Sequence, residues 1–173
     1  SIFYDDPHVL YLSTHESPLY PGSGMITHIG KDAGTGATIN IPLPERTGDA
    51  GYQQVFESIV IPAARRFKPQ LILASVGYDA HWRDPLAAMG LSLSGYTAIT
   101  QTIASLSDEL CESRLVCVLE GGYDLEVLRL GVHNTFCILM GDSESASNLI
   151  GPSHVMEPDI TPLIRKVKQL HRL

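Results

Sequence analysis

Leu71-Ile72-Leu73-Ala74-Ser75-Val76 is a short apolar run of strand length, stopped by Gly77 and followed at once by Tyr78-Asp79-Ala80-His81. Continuous apolar character suits a strand buried on both faces, and such strands belong to parallel sheets covered by helices. Polar, ligand-type side chains directly after the run occupy the carboxyl end of the strand. That is where open α/β sheets bind their ligands.

The same pattern repeats on either side. Leu115-Val116-Cys117-Val118-Leu119 reads as a second core strand, Glu120-Gly121-Gly122 as a turn, and residues from about Asp124 to Met140 as a helix. Between the two strands, residues 77–92 form a loop. Ser94 is the expected cap of a helix whose Tyr96, Ile99, Ile103, Leu106 and Leu110 share one face. Upstream, Val9–Ser13 reads as a strand, residues 17–36 as a long structured loop, and Thr38–Leu43 as another strand closed by Pro42 and Pro44. Loops of that length in compact domains usually carry function. A helix follows Asp49, with Tyr52, Val55, Phe56, Ile59, Val60 and Ala63 at helical spacing, and Pro62 predicts a kink or break in it. Residues 141–158 are polar and read as a surface loop. Thr161-Pro162 opens a last helix to Leu170. Alternating strands and helices, with no internal repeat and no second domain, predict one α/β domain with a mainly parallel sheet and helices on both faces. The loops after Ser13, Val76 and Leu119 then share one end of that sheet.

Composition narrows the function classes. Of 173 residues, 44% are hydrophobic and 18% charged, so a sizeable core can be buried. A formal net charge of −7 argues against a whole-surface grip on nucleic acid, and Arg65, Arg66 and Lys68 read as a solvated helix end. Cys111, Cys117 and Cys137 form no C-x-x-C pair and are odd in number. The expectation is buried thiols in a reducing compartment, the cytoplasm by default. No apolar run is long enough to cross a bilayer. The first residue is Ser1, and Ile2-Phe3-Tyr4 begins abruptly, so the chain is expected to be processed or to be a fragment.

Three places concentrate chemistry. Asp79 and His81 have an Asp-x-His spacing that fits a metal pair, but spacing alone favours carboxylates that pin a turn, and Asp84-Pro85 reads as turn or helix-start chemistry. Glu120-Gly121-Gly122-Tyr123-Asp124 lets the backbone pass close to a ligand and offers Tyr123 as a phenolic donor to an oxyanion; a tight corner with Tyr123 on the surface accounts for it equally well. No general base pairs convincingly with Ser13, and there is neither a G-x-S-x-G elbow nor a nucleotide-binding glycine pattern. His8, His28, His133, His154 and His171 follow no metal spacing.

Taken in order, these segments resemble one family. Phe3-Tyr4-Asp5-Asp6-Pro7 with Val9–His15, Tyr20-Pro21-Gly22-Ser23-Gly24, Asn40-Ile41-Pro42-Leu43-Pro44, Ser75-Val76-Gly77-Tyr78-Asp79-Ala80-His81 with Asp84-Pro85-Leu86, and Leu119-Glu120-Gly121-Gly122-Tyr123 are similar to successive blocks of the zinc-dependent histone deacetylase superfamily. The last two blocks point to its class II-like branch, which also holds bacterial deacetylase-like proteins, acetoin utilisation proteins and acetylpolyamine amidohydrolases. The resemblance covers roughly residues 2–141.

The resemblance implies an arginase/deacetylase-like three-layer α/β fold with a mainly parallel sheet, incomplete in this chain. Residues 1–173 would form the C-terminal part of a single deacetylase domain. It implies hydrolysis of acetylated lysine or polyamine-like amines with one Zn2+, and an acetylated protein or small acetylated amine as the partner, with no direct nucleic-acid or membrane partner expected. Asp79 matches a zinc ligand and Tyr123 the tyrosine that polarises the acetyl carbonyl. Ser13 and Thr14 match a structural K+ site. Phe3, Asp6 and Val9 match backbone positions around a second K+. Tyr20, Gly121 and Gly122 match the substrate channel. The family's tandem His-His and its Asp-x-His, which precede the segment matching Phe3, have no counterpart here. The expectation is therefore a piece of an active deacetylase that is inactive alone. A catalytically dead deacetylase-like binding module and an unrelated α/β domain are the competing readings.

Overall fold

The computed structural model describes residues 2–18 and 22–173. Among the described residues there are four strands: β1 (Tyr11–Glu16), β2 (Thr38–Leu43), β3 (Ile72–Val76) and β4 (Leu115–Leu119). They pair as two separate parallel ladders, β1 with β2 and β3 with β4. Five α-helices accompany them: α1 (Asp49–Val55), α2 (Ile61–Phe67), α3 (Leu93–Cys111), α4 (Leu125–Leu139) and α5 (Thr161–His171).

The core gathers where elements from distant parts of the chain meet. Ile39, Ile41 and Leu43 of β2 are fully buried against Tyr52, Val55, Ile59 and Ala63 of the α1–α2 rod and against Ile164 and Val167 of α5. Leu91, Leu93, Val127 and Leu130 close the cluster from the α3–α4 side.

Several local expectations shift. β1 starts two residues later and ends three residues later than Val9–Ser13, because its ends are set by pairing with β2, from Tyr11↔Thr38 to Glu16↔Leu43. Pro62 does not break its helix. Pro62 has no N–H to return to the preceding turn, and the rod passes through a π turn at Phe56–Val60 before continuing as α2. The cap of α3 is Ser92, not Ser94: its side chain accepts from the Gly95 N–H, while its own N–H and hydroxyl donate to Asp49 at 2.8 and 2.6 Å. The basic cluster Arg65, Arg66 and Lys68 is exposed at the helix end, as expected, and two of its members also find partners. Arg65 pairs with Glu109, and Arg66 donates to the His171 carbonyl at 2.6 Å. Cys111 and Cys137 are buried and all three thiols are free.

One face of the β3–β4 ladder is bare. Leu73 sits opposite Val116 and Ser75 opposite Val118, and Leu73, Val116 and Val118 are 67%, 47% and 50% exposed. A parallel ladder with helices on both faces was expected; here one apolar face lacks its cover among the described residues.

Candidate active site

The two loops that leave β3 and β4 are laced together beyond the strands. The Glu120 N–H donates to the Val76 carbonyl at 3.0 Å, and the Tyr78 N–H to the Gly121 carbonyl at 2.9 Å. A single turn of 3-10 helix over Tyr78–Ala80 then carries the Asp79 carboxylate towards the second loop. A Cβ placed on Gly121 would lie 2.8 Å from Asp79 Oδ2 and 2.9 Å from its Cγ, and one on Gly77 would also strike Asp79 Oδ1. Both glycines make room for this carboxylate. Gly122 serves differently: its φ of +124° is a conformation that side chains rarely adopt, and it packs on Tyr78 Cβ.

The electrostatics of Asp79 are those of an unbalanced charge. Burial pushes its carboxyl above the ordinary range, the nearby carboxylates of Asp84 and Glu120 add to this, and only its own backbone opposes. No cation of the described residues offsets it. Three tyrosines form the floor beneath the loop. Tyr96 donates to the Gly77 carbonyl at 3.0 Å, Tyr78 bonds to Thr135 at 2.7 Å, and burial pushes all three phenols, Tyr52 included, upward. The Asp79 charge adds to the shifts of Tyr52 and Tyr96, and Thr14 partly offsets that of Tyr52 through a hydrogen bond.

Tyr123 follows Gly122 on the rim, 54% exposed, with its backbone N–H donating to Asp84 Oδ2 at 2.9 Å. Asp79 and Tyr123 thus stand on two joined loops at the carboxyl ends of paired strands. His81, the other half of the Asp-x-His spacing, is fully buried. Its Nδ1 accepts the Arg83 N–H at 3.1 Å, its ring stacks on Trp82, and burial pulls its pKa down to about 4. It packs its own loop. No group of three or more His, Cys, Asp or Glu placed to hold a metal occurs among the described residues.

The β1 loop is built on a pair the sequence did not reveal. Ser13 Oγ lies 3.0 Å from His15 Nδ1, and His15 Nε2 lies 3.0 Å from the Gly24 carbonyl. Ser13 therefore does have an imidazole partner, one tied to the Gly24 carbonyl; burial lowers its pKa, and that hydrogen bond partly opposes the shift. Asn40 reaches the same loop, donating to the His28 carbonyl at 2.8 Å. Tyr20 falls outside the described residues. The Phe3 carbonyl accepts the Asp6 N–H at 3.2 Å, Asp6 Oδ1 accepts the His8 N–H, and Val9 leads into β1. Alternate residues along one strand, as with Ser13 and His15, are a weak sequence signal for such a pair. The bond from Asp84 to Tyr123 spans 39 residues and leaves none.

Residues 1–139 match the family model described as the histone deacetylase domain. The chain belongs to the histone deacetylase family. It is 41% identical over 174 residues to histone deacetylase 14, chloroplastic, of Arabidopsis thaliana, covering 99% of this chain and 41% of that protein. It is 46% identical over 125 residues to a probable deacetylase of Archaeoglobus fulgidus, covering 72% of this chain and 35% of that one. The solved structure of the HDA15 HD domain superposes with a TM-score of 0.83 at 28% identity, covering 98% of this chain and 45% of its own. Histone deacetylase Clr3 gives the same TM-score at 30% identity, with 28% of its chain covered. The deacetylase fold, α/β with parallel strands and partial here, follows from those superpositions. The chain spans about two-fifths of the length of the two plant relatives it matches.

Proposed function

We propose that residues 1–173 are the C-terminal part of a single deacetylase domain, and that the complete domain is a zinc-dependent amidohydrolase. It would remove acetyl groups from acetylated lysine or polyamine-like amines. The observation that carries this reading is the joined pair of loops holding Asp79 and Tyr123 at the carboxyl ends of β3 and β4, in a chain of the histone deacetylase family.

Asp79 fits a zinc ligand: a half-buried carboxylate crowded by other carboxylates is stabilised by a cation. Zinc, when bound, supplies Lewis-acid polarisation of an amide carbonyl and acidifies water. Tyr123, on the exposed rim, donates its phenolic proton in a hydrogen bond to the substrate carbonyl oxygen as negative charge builds there, a contribution of roughly 3 kcal/mol. Gly121 keeps the Asp79 carboxylate in place by having no side chain, and with Gly122 lets the substrate pass close to the backbone. Tyr20 would line the same channel. A zinc site needs three or four ligands, and this chain contributes one. The 173-residue polypeptide is therefore proposed to be inactive alone.

Ser13 and Thr14 are proposed to serve a structural K+, and Phe3, Asp6 and Val9 a second. Ser13 Oγ, donating to His15 Nδ1, keeps its lone pairs for a cation, which supports the first assignment. No helix of the described residues is long and apolar enough to cross a membrane. Three free thiols call for a reducing compartment, which the cytoplasm satisfies, as does the chloroplast named for the two plant relatives. The test is turnover of an acetyl-lysine peptide and of an acetylpolyamine by the complete protein, with zinc content measured alongside. One zinc per chain with hydrolysis supports the enzyme. A zinc-free protein that binds the peptide without cleaving it replaces it with a binding module.

A further inference from the structure

The loop after β3 does more than present Asp79: it holds the backbone on which Tyr123 stands. That loop is itself stiff. The Asp84 N–H donates to the His81 carbonyl at 2.8 Å, Arg83 N–H to His81 Nδ1, and Trp82 N–H to the Leu91 carbonyl at 3.0 Å. Asp84, only 9% exposed, uses Oδ1 to accept the Leu86 N–H at 2.9 Å and Oδ2 to accept the Tyr123 N–H at 2.9 Å. Its neighbour Arg83 grips the next residue along. One guanidinium nitrogen lies 3.0 Å from Asp124 Oδ2 and the other 3.0 Å from Glu126 Oε2. Asp124 Oδ1 meanwhile caps α4, accepting the Glu126 and Val127 N–H groups. Adjacent residues 83 and 84 therefore clamp adjacent residues 124 and 123, at a turn that Gly122 would otherwise leave loose.

We propose that Asp84 is a positioning residue for the deacetylation reaction, fixing through the Tyr123 N–H the direction in which the phenol leaves the backbone, with Arg83 bracing the same turn through Asp124. This rests on the reading of Tyr123 as the oxyanion donor. A donor acts only when held within about 0.5 Å of its productive place, and a displacement of about 1 Å costs on the order of 100-fold in rate. Tyr123 has half its surface in solvent, so its aim depends on the backbone grip.

The test is a double-mutant cycle in the complete zinc-loaded protein, reading kcat, KM and zinc content for Asp84→Asn, Tyr123→Phe and the pair. Asparagine keeps the size of Asp84 but offers one acceptor oxygen where three N–H groups, of Leu86, Ala87 and Tyr123, share two. The expected result is a fall in kcat of about 10- to 100-fold for Asp84→Asn, with KM changed less than about threefold and zinc retained. In the Tyr123→Phe background the same substitution should cost less than about twofold further, since the donor it aims is already gone. Full additivity, unchanged kcat, or a loss explained by lost zinc overturns the proposal. If Asp84→Asn does not fold, Arg83→Met takes its place in the same cycle, with the same expected non-additivity. Normal turnover by Tyr123→Phe alone removes the parent reading, and the proposal with it; a crippled Tyr123→Phe beside a normal Asp84→Asn sinks the proposal only.

Discussion

The Asp79 carboxylate occupies the space that a side chain on Gly121 would fill, with Oδ2 lying 2.8 Å from where a Cβ would stand. The φ of Gly121 lies outside the strained positive range, so its requirement for glycine is steric. Gly121→Ala in the complete protein should push the carboxylate aside, weakening zinc binding by roughly 10-fold or more, in the range found when the shell around a metal ligand is disturbed. The fold should persist. Metal content after dialysis, alongside far-UV circular dichroism, checks this; full zinc retention would show that the carboxylate can move without cost.

Glu157 is a second long-range cap. Its two oxygens accept the N–H groups of Gly48, Ala50 and Gly51 at 3.0, 3.1 and 2.8 Å, closing the start of α1 from a segment more than a hundred residues away. Glu157→Ala should destabilise by about 1–3 kcal/mol, because those donors lose a charged partner. Urea unfolding of the complete protein measures it. A change below a few tenths of a kcal/mol would mean that water replaces the carboxylate.

His171 sets a pH dependence. Burial holds its imidazole below the ordinary value of 6.5; the nearby Gly36 carbonyl partly opposes this and Arg66 adds to it, while neither buried ring nitrogen has a hydrogen-bond partner among the described residues. Above the ordinary range both folded and unfolded forms are neutral and nothing is lost. As pH falls below about 6.5 the unfolded chain takes a proton that the folded chain resists, so stability drops. The loss levels off once pH passes the lower folded value. His171→Leu should flatten this part of the stability curve. Denaturation midpoints taken on both sides of that range, for parent and variant, decide it; parallel curves would count against the assignment.

The bare face of β3–β4 should betray itself when the 173-residue polypeptide is made alone. It should bind a hydrophobic dye and self-associate, and Val118→Lys should reduce both. In the complete protein, where this face is expected to be covered, the same substitution should cost at least about 2 kcal/mol, since it buries a charge. Improved stability of the complete protein by Val118→Lys would mean that nothing covers the face.

Local chemistry made much of this legible from the residues alone. The apolar runs at 72–76 and 115–119, the glycines that stop them, and the ligand-type residues after them are neighbours in the chain, and so are the blocks that resemble the deacetylases. Strand, turn and motif are written within a few residues of one another, so α/β order and the positions of Asp79 and Tyr123 at strand ends could be read directly. What the tertiary structure decided depends on contacts between distant residues. The ends of β1 follow from its partner β2. The cap of α3 moved to Ser92 because Asp49 receives both its N–H and its hydroxyl. Pro62 was absorbed by a π turn within a rod packed on α3 and α5. The polar segment read as a surface loop closes α1 through Glu157, and the grip of Asp84 on Tyr123 crosses 39 residues. Hydrogen-bond partners of this kind are fixed by the path of the folded backbone, and no periodicity or spacing in the sequence encodes that path.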